Sequence, residues 1–242
     1  MTRPRRRARV YVDGFNFYYA AFREGRLGQY RWLDPVAFSQ HLMPDCQIDH
    51  VRYFTAKVKP TPGDPTNHLR QGAYLNALKT LDRLTVHFGS FARHQVPMQL
   101  VPRPKNNANE AYVYRPSVRD GRTKALVFKI EEKGSDVNLA SYLLRDGFKG
   151  LYDIAVVVSD DSDLLVPVDM VRSELRREVV VARVPRYTHV GGKRLERASV
   201  FEGKASFIRD VRRHHFAASQ LPREIATRDG RIVRKPPEWD TR

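Results

Sequence analysis

Cysteine is nearly absent: Cys46 is the only one in 242 residues. That excludes an internal disulfide and a cysteine-built zinc site, and it fits a reducing compartment, so the protein is expected in the cytoplasm. No apolar run approaches the roughly 18 residues of a membrane span, so no membrane partner is expected. The opening "MTRPRRRAR" carries positive charge with no apolar stretch after it, which is not the pattern of a secretory signal. Neither a Walker loop nor a G-x-G-x-x-G turn occurs, which removes the common phosphate cradles of nucleotide enzymes. Acidic residues are scarce as well. Against 43 Lys and Arg stand 27 Asp and Glu, a net charge of +16 that points to a polyanionic partner, with nucleic acid first.

What is present is a core. Apolar residues make up 41% of the chain, enough to fold. "ARVYVD" (8–13), "DIAVVVS" (153–159) and "EVVVARV" (178–184) read as buried strands, and "IDHVRYFTAKV" (48–58) and "LTVHFGSFA" (84–92) as further strands. Between them lie helical patterns. One follows Gly14; one starts at Asp34, a cap with Pro35 at the first helical position. Others run from about 66 to 83, over 135–147 with Gly147 as the stop, and through "LLVPVDMVRSELRR". The alternation predicts an α/β fold, a three-layer α/β/α sandwich around a central, mainly parallel sheet. The expected organisation is a basic arm at 1–7, a domain at 8–218 with an insert near 93–124, and a basic extension at 219–242. Within the insert, Asp120-Gly121 is a hairpin signal.

The chemistry-bearing feature is a local inversion of charge. In this basic chain, Asp13 follows the first strand, Asp136 opens a helix, and Asp161 and Asp163 follow "AVVVS". Parallel sheets gather functional groups beyond the carboxyl ends of their strands, so these four acids are expected at one edge. An oxygen-rich pocket of that kind suits a hard cation, Mg2+ or Mn2+, able to activate water against a phosphate. For any single aspartate, helix capping is the better explanation, and Asp160 is assigned to capping or solvent. Capping does not account for the concentration of acids at 160–163.

Three stretches, "YVDGFNFYY", "EEKGSDVNLASYLL" and "VVVSDDSDLLVPV", resemble in order the DGxN, KGxDVxL and SxDSDFxP patterns of the NYN-domain family, the LabA-like branch of PIN-like nucleases. The resemblance spans about 8–185 and implies a PIN-like sandwich and metal-dependent hydrolysis of phosphodiester bonds, usually in RNA, with single-stranded DNA as the lesser candidate. It makes Asp13, Asp136, Asp161 and Asp163 the metal-binding catalytic acids. Asn16 would hold a phosphate or orient a carboxylate, and Ser159 would support them. Two departures stand out: Asp160 where the family often has a small residue, and Leu164 where Phe is common.

Around this core, Lys133 is a candidate phosphate contact or a counter-charge to the acids, and Arg5, Arg6 and Arg7 are candidate phosphate contacts in the basic arm, which reads equally well as a solvated start. Tyr18, Tyr19 and Phe22 read as core before stacking platforms. A non-catalytic RNA-binding protein with the same fold is the alternative function. A haloacid-dehalogenase-like phosphatase ranks last, because Phe15 stands where its second acid is needed. Oligomeric state is open, a homodimer included.

Overall fold

The computed structural model describes residues 5–24, 27–61, 63–102, 123–185, 187–190, 193–196 and 198–240. The elements run β1 (Arg6–Asp13), α1 (Gly14–Tyr18) with a π-helical continuation over Tyr19–Glu24, α2 (Pro35–Leu42), β2 (Cys46–Thr55), α3 (Asn67–Leu78) and β3 (Leu84–Phe88). Then come β4 (Ser90–Gln99), β5 (Lys124–Lys133), α4 (Ser135–Phe148), β6 (Ile154–Val158), α5 (Leu165–Ser173), β7 (Glu178–Arg183), β8 (Tyr187–Val190) and β9 (Lys193–Glu196). The last are β10 (Phe207–Asp210), α6 (Arg213–Ala217), β11 (Glu224–Ala226) and β12 (Ile232–Arg234).

Six strands form one sheet in the order β10-β7-β6-β1-β2-β3, every pair parallel. Because strands in a covered parallel sheet bury both faces, β6 reads "IAVVV" with all five residues buried. Burying each valine stabilises the fold by roughly 1.5–3 kcal/mol. The alternation of β1 divides the core. Ala8, Val10 and Val12 pack with α2, α3 and α6 on one face, while Tyr11 packs with Leu139, Leu143 and Val168 of α4 and α5 on the other. Asp34 caps α2 as expected, accepting from the Val36 and Ala37 N–H groups at 2.8 and 3.0 Å.

A charged network lies under α4. Asp146 is fully buried and accepts from Arg52 Nε (2.8 Å), Arg9 Nη1 (3.2 Å) and Tyr11 Oη (3.0 Å). Burial pushes the Asp146 carboxyl up, but the hydrogen bond and charge of Arg52, helped by Tyr11 and Arg9, hold it below the ordinary value. His87 meets Arg52 at 3.1 Å, and its pKa is pushed down to about 4, first by burial and then by Arg52.

Several expectations change. Arg6 and Arg7 are not a free arm: they begin β1, Arg6 pairing with Glu178 at 2.9 Å and Arg7 with Asp153 at 3.4 Å. Residues 219–240 are not a loose extension. β11 and β12 form a two-stranded sheet, and Leu221 and Trp239 are buried with Trp32 and Ala77. Apolar side chains this far apart show no period, yet Trp239 finds Trp32 at 6.1 Å between ring centroids. Gly147 does not stop α4; it lies within it, where a Cβ would come within 2.5 Å of the Tyr152 hydroxyl. The third helix ends at Leu78 rather than near 83, and β10, which is parallel to β7, was not expected.

The insert falls in a compact unit of its own, Phe91–Lys133, the rest of the chain forming the other. β4 and β5 pair there; the sequence carried a strand only as far as residue 92, whereas β4 runs on to Gln99. The Asp120-Gly121 turn lies outside the described residues. Among the described residues no helix is long and apolar enough to cross a membrane.

Candidate active site

The strand order reverses direction between β1 and β6, so the crevice beyond their carboxyl ends is the natural place for a site. Asp13 ends β1 there and is 4% exposed. The chain then turns at once into α1, which it can do only because residue 14 is glycine. A Cβ at Gly14 would lie 2.6 Å from the Phe54 carbonyl oxygen and 2.8 Å from the Tyr53 ring, inside any real contact distance.

Asp13 is held from two sides. The Asn16 N–H donates to Oδ1 at 3.0 Å, capping α1, and the Ser159 hydroxyl donates to Oδ2 at 2.9 Å from the end of β6. Ser159 Oγ in turn accepts the Asp161 N–H at 3.2 Å. Asn16 Oδ1 accepts the Asp160 N–H at 3.2 Å, a second tie between the two strand ends. The Asn16 carbonyl oxygen of the side chain is therefore spent on orienting the loop.

The electrostatics single out Asp13. Its pKa is raised from 3.8 to about 6, chiefly by burial, and the charges of Asp136 and Asp161 add to the rise. The bonds from Asn16 and Ser159 work in the opposite direction. This is the signature of a desolvated carboxylate among like charges. Asp136 sits in the first turn of α4, where the helix dipole favours negative charge; the cap position belongs to Gly134, so the capping explanation for Asp136 fails. For Asp161 it holds in part, since Oδ1 accepts the Asp163 N–H at 3.1 Å and caps the short 3-10 turn Ser162–Leu164. Asp163 is exposed in that turn. Asp160 serves neither expected purpose, because its Oδ1 accepts the Ser199 hydroxyl at 2.9 Å. Ser199 was missed; a partner 39 positions away leaves no local pattern.

Thus Asp136 and Asp161 each act on Asp13, with Ser159 and Asn16 as the frame. The basic candidates of the first strand lie at its other end. Arg6 and Arg7 begin β1, about 20 Å along the strand from Asp13 at 3.3 Å per residue, and Arg5 precedes them on the same end. Lys133 ends β5 in the other unit and pairs with Glu131 at 3.2 Å.

Among the described residues no three His, Cys, Asp or Glu side chains already converge as a cation cage. The donor set nevertheless fits a hard divalent cation: hard oxygens, one of them desolvated and destabilised by negative neighbours. Ser159→Ala removes a donor that favours ionised Asp13. Its midpoint is expected to rise by about one further pH unit, as losing a charge-assisted bond of roughly 1.5 kcal/mol requires, when followed by carboxyl 13C shifts against pH.

The family model described as NYN domain matches residues 7–198. The chain is 30% identical over 256 aligned residues to a 6-hydroxy-3-succinoylpyridine 3-monooxygenase, HspA, of Pseudomonas putida, covering 96% of this chain and 75% of that one. A crystal structure of a protein of unknown function from Vibrio parahaemolyticus superposes with a TM-score of 0.52 at 16% identity, covering 91% of this chain and 99% of that one. At that identity the likeness concerns the fold.

Proposed function

Because this chain belongs to the NYN-domain family, whose domains are PIN-like nuclease domains, we propose that it is a metal-dependent ribonuclease acting beyond the ends of β1 and β6. The observation that carries this reading is Asp13: a buried carboxylate held at about 6 by burial and by Asp136 and Asp161, in a chain of net charge +16. A fold does not keep such a carboxylate for stability, since its ionisation at neutral pH weakens the native state. A cation beside it removes that penalty.

Asp13, Asp136 and Asp161 would hold magnesium or manganese, with Asp163 at the rim. Bound there, the ion would supply positive charge to the scissile phosphate and acidify a water molecule. The chain's own part is positional. Ser159 and Asn16 fix Asp13 and the 160–161 backbone relative to each other, so the acids keep their spacing when the polyanion arrives. The basic surface raises the local concentration of RNA by long-range attraction.

The test is incubation of the purified protein with mixed single-stranded and structured RNA in magnesium or manganese, beside the same reaction in EDTA. Products that require the cation are expected. Single-stranded DNA run in parallel reads whether the 2′-hydroxyl matters. Tight binding without products would favour the alternative, an RNA-binding protein on the same fold. The name of the Pseudomonas relative supplies a third arm: oxygenation of 6-hydroxy-3-succinoylpyridine by dioxygen with an added two-electron reductant, in place of RNA cleavage, would overturn the nuclease reading.

A further inference from the structure

α3 carries a glycine in its middle, Gly72, in a helix of 12 residues. A glycine there lowers the helix's folding equilibrium about fivefold relative to alanine. Nothing in the packing asks for it, since a Cβ built on Gly72 meets no described atom within 4 Å. The space it leaves belongs to a hollow of about 310 Å³ bordered by Lys57, His68, Asn76, Lys79 and Phe88. Asn76 and Lys79 also border a second hollow, of about 430 Å³, that continues towards Arg228 and Arg231 on the β11–β12 sheet. The two hollows meet at Asn76 and Lys79 and together flank α3 over about 16 Å, from His68 to Lys79 at 1.5 Å per residue.

The lining has the chemistry of a nucleic-acid strand's partner. Phe88 is 40% exposed at the carboxyl end of β3, with the Lys57 ammonium 5.5 Å from its ring centroid. An exposed ring beside a cation is a base-stacking position. The His68 ring Nδ1 is shielded from solvent and has no hydrogen-bond partner among the described residues. Among the described residues Lys79 reaches Asn76 Oδ1, at 3.4 Å. Farther on, Arg228 pairs with Asp82, and Arg231 with Asp229, in exposed contacts that a phosphate can displace at little cost. The Phe88 end of this groove lies at the sheet edge that carries Asp13, two strand spacings away, or about 10 Å, and from there it follows α3 back towards the start of β3.

We infer that this groove binds single-stranded RNA on its way to or from the aspartates, with Gly72 as its floor, Phe88 as a stacking platform, and Lys57 and Lys79 as phosphate contacts. The inference rests on the nuclease reading for its choice of polyanion. A duplex is too wide for a hollow of this size, and a merely acidic peptide has no use for an exposed ring.

The experiment measures binding of a labelled 12-nucleotide single-stranded RNA in EDTA, by fluorescence anisotropy, to the full chain and to Gly72→Leu. Leucine fills the groove where there is room for it and improves the helix. The melting temperature is expected to rise by about 2–4 °C while RNA affinity falls at least tenfold. Phe88→Leu should lose roughly tenfold, and Lys57→Gln or Lys79→Gln should each flatten the salt slope by about 0.7. A folded Gly72→Leu that binds RNA as tightly as the parent overturns the groove, and unaltered cation-dependent cleavage by that variant would leave the nuclease reading standing. Equal competition by polyglutamate, or no RNA binding by the parent, also overturns it.

Discussion

Asp161→Asn is expected to lower the rate of RNA cleavage at saturating RNA by at least about a hundredfold, with the melting temperature and the affinity for RNA in EDTA nearly unchanged. A hundredfold is about 2.7 kcal/mol of activation free energy, within the several kcal/mol that a cation at a phosphate contributes. The substitution removes charge at constant volume. The structural duties of Asp161 survive it: Oδ1 caps the turn by accepting the Asp163 N–H, which an asparagine oxygen does equally well. The bond from its own N–H to Ser159 belongs to the backbone and is unaffected. Asp160→Asn is the internal control. Its carboxylate is engaged by the Ser199 hydroxyl, so its neutralisation should change the rate only a few-fold. Comparable losses at both positions would mean that the loop's overall charge matters and not a particular ligand. Full activity of Asp161→Asn would remove Asp161 from the catalytic set.

How far the sequence foretold this site depends on how local each signal is. β1, β6 and β7 are legible because a strand buried on both faces must be an unbroken apolar run, and "IAVVV" has no other reading. The rule that parallel strands deliver their functional groups to one edge then brings Asp13 and the 159–163 loop together without a contact map. Interactions between distant segments leave no such trace. Arg6 and Arg7 look like a solvated arm until Glu178 and Asp153 are seen opposite them. Leu221, Ile225, Val233 and Trp239 are too widely spaced among charged residues and prolines to show a period, and the surface they cover, Trp32 and Tyr74, lies some 150 or more positions earlier. β10 escapes notice because its burial alternates between exposed and half-buried over only four residues. The double duty of Asp13 and Asp161, as helix caps and as members of an acid group, was legible as a choice between two readings; the structure makes them compatible.

The second large effect concerns stability, and it runs against the usual expectation for a buried, hydrogen-bonded side chain. Asp13→Asn is expected to stabilise the cation-free protein at pH 8 by about 2–3 kcal/mol while abolishing cleavage. The native pKa of Asp13, about 6, lies above the ordinary 3.8, so the native state binds the proton more tightly than the unfolded chain does. Stability from this group is therefore complete below pH 3.8, declines as pH rises towards 6, and is absent above it. A rise of about two units corresponds to about 3 kcal/mol. Asparagine is neutral at every pH and keeps the cap on α1, while the freely rotating Ser159 hydroxyl accommodates an amide in place of the carboxylate oxygen. Urea denaturation in EDTA at pH 4 and pH 8 reads the difference: the two proteins should be nearly equal at pH 4 and should diverge at pH 8. Adding manganese should then reverse the order. An ion at a hundred times its dissociation constant stabilises the native aspartate protein by about 2.7 kcal/mol and does much less for Asp13→Asn. If Asp13→Asn is the less stable protein at pH 8 in EDTA, Asp13 is already paired and needs no cation. If it is more stable and still cuts RNA, the penalty is real but Asp13 is not among the ligands. Only a variant that gains stability without the ion and loses the response to it fits a carboxylate kept, at a cost to the fold, for a metal.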